Sequence, residues 1–87
     1  MKDGSVLHAK QINHGRSEVW LEADGKELTR RRNLATNEIV NVARRFCSPE
    51  VFEAFYKELV RSIGNVAKLD LPNLDEVAAE LRLEPSV

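Results

Sequence analysis

Apolar and polar residues alternate along residues 5–12, 17–23 and 26–32, the period-two pattern of strands that turn one face to a core. Asp24-Gly25 separates the second and third runs, and both residues tolerate the positive φ that a type I′ hairpin turn demands. Counting outward from that turn opposes Ala23 to Lys26, Glu22 to Glu27, Leu21 to Leu28, Trp20 to Thr29, Val19 to Arg30 and Glu18 to Arg31. For the first two strands, a three-residue loop Asn13-His14-Gly15 sets Leu7 against Leu21, His8 against Trp20, Ala9 against Val19 and Lys10 against Glu18. A four-residue loop would mix polar and apolar residues on each face, so alternation selects the shorter one. One face then carries Leu7, Ala9, Val19, Leu21, Ala23 and Leu28. The other carries His8, Lys10, Ile12, Glu18, Trp20, Glu22, Glu27, Thr29 and Arg31, with Lys10, Glu18 and Arg31 as a cross-strand row of alternating sign.

Beyond Asn33 the spacing changes to three and four. Ile39, Val42, Ala43 and Phe46 predict a helix over 36–46, with Thr36 or Asn37 as cap, Glu38 in the first turn and Arg44 and Arg45 at the negative end of the dipole. Ser48 as N-cap and Pro49 at the first helical position open a second helix. Its stripe is Phe52, Phe55, Tyr56, Leu59 and Ile63, and Val66 and Ala67 carry the apolar rhythm past Gly64-Asn65, which extends the expected helix over 49–68. Leu74, Val77, Ala78 and Leu81 predict a third helix over 74–82, opened by Asn73 paired with Glu76. The expected fold class is α+β: a three-stranded antiparallel β-meander followed by three α-helices packed on one sheet face, in a single small domain over residues 1–87. Residues 84–87 read as a short mobile tail.

Composition narrows the picture without adding chemistry. With 43% hydrophobic and 31% charged residues, the 87-residue chain has the make-up of a soluble globular domain and no apolar run long enough to cross a bilayer. The start MKDGSVLHAK lacks the apolar core of a secretory signal, so a cytoplasmic location is expected. A single cysteine excludes an internal disulfide within one chain.

Net charge is −1, yet its distribution is polarised: residues 26–45 hold six basic groups against Glu27 and Glu38, whereas residues 70–87 hold Arg82 against five acids. Nucleophilic catalysis would need Cys47 or a serine beside an oriented base, and the histidines, His8 and His14, lie in the first strand and first turn. Those two histidines have no third ligand at useful spacing, so no metal is expected, and the four dispersed glycines form no phosphate-cradling loop. No cofactor and no enzymatic activity follow from the sequence.

The C-terminal LDEVAAELRLEPSV resembles the first helix and turn of bacterial helix-turn-helix motifs, with an apolar-Ala pair before the turn. Arg82 stands where those motifs usually carry glycine, and no recognition helix follows, so no DNA-reading element is expected from it. Reading DNA with the central helix instead would set Glu50, Glu53 and Glu58 against phosphate. Two binding roles remain. The leading one is a small non-enzymatic protein-interaction module, a regulator, adaptor or inhibitor, that meets a protein partner through His8, Lys10, Trp20 and Arg31, since Trp and Arg dominate binding energy at interfaces. The alternative is a nucleic-acid-binding module using Lys26, Arg30, Arg31, Arg32, Arg44 and Arg45 to contact phosphates. The opposite charge of the middle and the end of the chain would also suit a homodimer. Trp20, on a polar face, is expected to be capped by long side chains, shielded by the N-terminal arm, or engaged by a partner.

Overall fold

The computed structural model describes residues 4–85 and is α+β, with a five-stranded antiparallel sheet and three helices. Strands β1 (Val6–Asn13), β2 (Arg16–Ala23) and β3 (Lys26–Ala35) form the expected meander. The β1–β2 register is the expected one from Leu7 opposite Leu21 to Lys10 opposite Glu18. Near the turn Ile12 bulges out, so Asn13 opposes Arg16 and the loop shortens to His14-Gly15.

The β2–β3 register departs from expectation. Asp24 and Gly25 adopt φ of 54° and 75°, and Ala23 opposes Lys26 and Glu22 opposes Glu27 as the turn dictates. A bulge then intervenes, so that Leu21 opposes Thr29, Trp20 opposes Arg30 and Val19 opposes Arg31. A second irregularity lets Ser17 oppose Leu34. Each inserted residue reverses which face the following side chains take. Without the bulges both Arg30 and Arg32 would point into the helical layer; with them, those guanidinium groups reach carboxylates on the outer face and Leu34 is fully buried. Burying two guanidinium groups would cost more than leaving Leu28 partly exposed.

Helix α1 (Thr36–Phe46) spans the expected residues, though Ala35 rather than Thr36 or Asn37 is its N-cap. The Thr36 hydroxyl instead meets buried Ser17, Oγ to Oγ1 at 2.6 Å, tying the start of α1 to the middle strand. Helix α2 (Pro49–Leu59) begins as expected, with Ser48 Oγ accepting from the Val51 amide. It ends at Leu59, not near Lys68. The Asn65 amide group caps the Glu58 carbonyl (2.7 Å), and Gly64, at φ 88°, donates its N–H to the Gln11 carbonyl (2.8 Å). Those bonds return the chain to the sheet, where β4 (Ala67–Leu69) pairs antiparallel with β1. Ala67, Leu69 and Leu71 are all buried, so the period there is two rather than 3.6. The aromatic stripe shrinks accordingly: Phe55 and Leu59 are buried, Phe52 is half-buried, and Tyr56 and Ile63 are exposed.

Helix α3 (Leu74–Glu80) is followed by β5 (Glu84–Pro85), so the expected tail begins as an edge strand pairing Thr29 with Pro85 and Arg30 with Glu84. The last two residues of that tail, and the N-terminal arm of residues 1–3, lie outside the described residues. The order across the sheet is β4-β1-β2-β3-β5, and the three-stranded expectation was too narrow because both borders come from the C-terminal half. All three helices bury Ile39, Val42, Phe55, Leu59, Leu74, Val77 and Leu81 against Leu7, Ala9, Val19, Leu21 and Leu34 on one sheet face.

The end of α3 is a Schellman motif: Leu83 N–H bonds to the Ala78 carbonyl (3.0 Å) and Arg82 N–H to that of Ala79 (3.1 Å). The residue between must be left-handed, and here it is Arg82 at φ 57° rather than glycine. A side chain in that conformation costs roughly 1–2 kcal/mol, partly offset by the greater freedom glycine has when unfolded. Arg82→Gly should therefore raise stability by about 0.5–1 kcal/mol, read as a melting temperature a few degrees higher. An unchanged or lower melting temperature would show that the arginine side chain itself supports the turn. Leu59→Ala, in contrast, should lower stability by about 2–5 kcal/mol in denaturant titration, because its site is closed by both layers.

Candidate functional site: the open face of the sheet

With the helices on one face, alternation leaves the other uncovered by any described element. One residue from each strand aligns there: Lys68 opposes His8, His8 opposes Trp20, Trp20 opposes Arg30 and Arg30 opposes Glu84. The row runs from cation to anion with two aromatic rings at its centre.

Trp20 sits outside the hydrophobic cluster under the helices, yet is only 7% exposed. Among the described residues its cover is made of side chains. The His8 ring stacks on it at 5.4 Å, its Nδ1 donating to the Val6 carbonyl (3.2 Å). The Arg30 guanidinium lies 4.5 Å from the indole centroid and the Lys10 ammonium 5.9 Å, distances at which a cation is attracted to the ring face. The indole Nε1–H donates to Glu22 Oε2 at 2.8 Å. Among the described residues, long side chains cap this tryptophan; the N-terminal arm, the other cover expected for it, lies outside them.

Glu18 is the hub of the surrounding charges. Its carboxylate, 11% exposed, accepts from Arg30 and from Arg32 (3.2 Å) and faces Lys10 at 4.0 Å. Arg30 also donates to Glu27 at 2.6 Å. Hydrogen bonding to Glu27 is the largest effect raising the Arg30 pKa; burial opposes it, and the charge of Glu18 adds to it. The raised direction means that Arg30's contribution to stability is fully present below its ordinary pKa and would be lost only above it, beyond the working range of pH.

The structure thus brings His8, Lys10 and Trp20 together but not Arg31. The bulge before Thr29 moves Arg31 to the helical side, where it donates to the Leu81 carbonyl (3.0 Å) and reaches Glu38 (3.4 Å), and Arg30 takes the place beside Trp20. The six basic residues of the alternative site also diverge. Lys26 is at the hairpin tip, Arg30 and Arg32 are on the open face, and Arg31 is behind it. Arg44 lies over Phe52 (5.0 Å), and Arg45 lies over Phe46 and pairs with Glu80 (2.6 Å). Sequence reasoning missed Lys68 and Glu84 because their strands were read as helix and tail. The alternation Ala67-Lys68-Leu69-Asp70-Leu71 was the available signal for the first.

Other chemistry is sparse. Cys47 is half-buried between α1 and α2, and burial raises its thiol pKa. Among the described residues no group of three or more His, Cys, Asp or Glu side chains could hold a metal ion, and no helix is long and apolar enough to cross a membrane. No protein-family model matches the chain, and comparison with curated proteins and with solved structures finds no match to it.

Two outcomes follow from this geometry. Arg30→Ala should uncover the indole, shifting Trp20 emission to longer wavelength, increasing quenching by acrylamide and lowering stability by about 1–3 kcal/mol through loss of the Glu18 and Glu27 bonds. Unaltered emission would mean that Arg30 is not the cover. Cys47, with its thiolate disfavoured, should react with a disulfide reagent at neutral pH more slowly than a free cysteine and accelerate as pH rises; equal rates at neutral pH would contradict the burial argument.

Proposed function

We propose that this chain is a non-enzymatic protein-interaction module, a regulator, adaptor or inhibitor that engages a protein partner with the open face of its sheet. The observation that carries the reading is the five-strand row Lys68, His8, Trp20, Arg30, Glu84. A tryptophan and a histidine on this face contribute nothing to the core beneath the helices, and a plain solvated face would not need them. Trp and Arg are the residues that most often anchor interfaces, and charges of both signs fix the orientation of a partner. The covering groups are long side chains rather than backbone, so a partner's carboxylates and apolar groups can take the places of Lys10 and Arg30 over the ring.

The nucleic-acid alternative is supported less well. Arg30 and Arg32 are engaged by Glu18, Arg31 faces another way and Arg45 is paired with Glu80, so few unpaired cations share one surface for phosphate.

The deciding measurement is partner capture from the source cell with the wild-type chain and with the double variant Lys10→Glu, Arg32→Glu. Arg32 is 78% exposed, so reversal there leaves the core untouched. Capture, compared well below the melting temperature, should fall about tenfold or more while circular dichroism stays near wild type; the melting temperature itself should drop, because Glu18 loses two of its partners. Equal capture by the folded variant would place recognition elsewhere. Mixed-sequence DNA or RNA should show no binding that collapses between about 50 and 200 mM salt; a steep collapse would favour the alternative.

A further inference from the structure

A cleft of about 790 Å³ opens where the β3–β5 border of the sheet meets the turn after α3, within the size range of sites that take side chains or small ligands. Its lining includes four arginines, Arg30, Arg31, Arg32 and Arg82, beside Glu27 and Glu84. The four are not equivalent. Arg30 is held by Glu18 and Glu27, and Arg31 by Glu38 and the Leu81 carbonyl, so these two are fixed by partners of their own on the two sides of β3. Arg32 reaches Glu18 from an otherwise exposed position, and Arg82 forms no side-chain hydrogen bond or ion pair with the described residues. Its backbone holds a left-handed turn that glycine would fill with less strain. Strain retained at one residue, with its side chain delivered to a cleft of like charges, is the pattern expected where that side chain serves a ligand.

The geometry points to this cleft as a binding site for an acidic peptide segment of a protein partner, its carboxylates received by Arg82 and Arg32 in front of the fixed pair. Arginine's planar fork suits a carboxylate, and Arg30 and Arg32 each already donate one N–H to the Glu18 carboxylate. Glu27 and Glu84 stand among these arginines and would repel a continuous run of phosphates, whereas a peptide spaces its acids and brings amide donors as well. The inference rests on the protein-interaction reading for the kind of partner, and extends it from the open face around the β3 border.

The test is fluorescence anisotropy of a fluorescein-labelled peptide of alternating glutamate and serine at about 50 mM salt, with mixed-sequence single-stranded DNA as a second probe. Wild type should bind the peptide. Arg82→Gly should weaken it about tenfold with the fold intact, Arg82→Lys should fall between, and Arg45→Ala, whose residue is not among the cleft's lining, should match wild type. Absence of peptide binding by wild type, or equal binding by Arg82→Gly, overturns the assignment; tighter binding of the DNA with the same dependence on Arg82 overturns the acidic peptide as occupant. Lys10→Glu alone, lying outside the cleft walls, separates the two ideas: if it abolishes partner capture while the peptide never binds, the open face stands and the cleft falls. If the peptide binds through Arg82 while Lys10→Glu leaves partner capture unchanged, the cleft stands without the open face.

Discussion

A carboxylate in the middle of the middle strand sets the terms for this sheet. Glu18 is too enclosed to be satisfied by water alone, and an enclosed charge without partners is costly. Its partners come from both neighbouring strands, Lys10 from one side and Arg30 and Arg32 from the other. Supplying the second side requires Arg30 on the outer face, which the turn at Asp24-Gly25 alone would not give. The irregular third strand is thus the accommodation of backbone to charge, and the cation over the indole is a by-product of the same shift.

Local chemistry was legible where one residue type answered one geometric demand. Asp24-Gly25 defined a turn and its first two pairs, alternation selected the β1–β2 pairing, and Ser48-Pro49 marked a helix start. What stayed hidden needed long-range information. Val66 and Ala67 suit a helical stripe or a strand equally well, and only the unpaired edge of β1, some sixty residues earlier in the chain, decides for the strand. The bulges in β3 escaped for a similar reason: a hydrophobic pattern ranks Leu28 as a core residue, and nothing local reveals that two guanidinium groups would be buried if it were. Since the candidate site is written in strand parity, this one slip exchanged Arg31 for Arg30 while leaving His8, Lys10 and Trp20 in place.

The two sheet faces divide the work. Beneath the helices, aliphatic side chains close around Leu7, Val19 and Leu59 with little but apolar contact. Outside, polar side chains lie over an aromatic centre on a backbone that five paired strands hold stiff. A stiff platform with a rearrangeable cover loses little order when a partner settles on it, and that favours recognition without large backbone movement. The buried hydroxyl pair Ser17–Thr36 links the platform to the helical layer, so both faces share the same rigid frame.

The borders of the sheet carry a consequence for how the chain reaches this state. During vectorial synthesis the three long strands leave the ribosome together, while the strips that flank them, Ala67–Leu69 and Glu84–Pro85, arrive much later. Until then the nascent meander displays two bare margins of backbone, the condition in which strands recruit unintended neighbours. The charged outer surface, densest beside the margin that closes last, would give the growing polypeptide its protection during that interval.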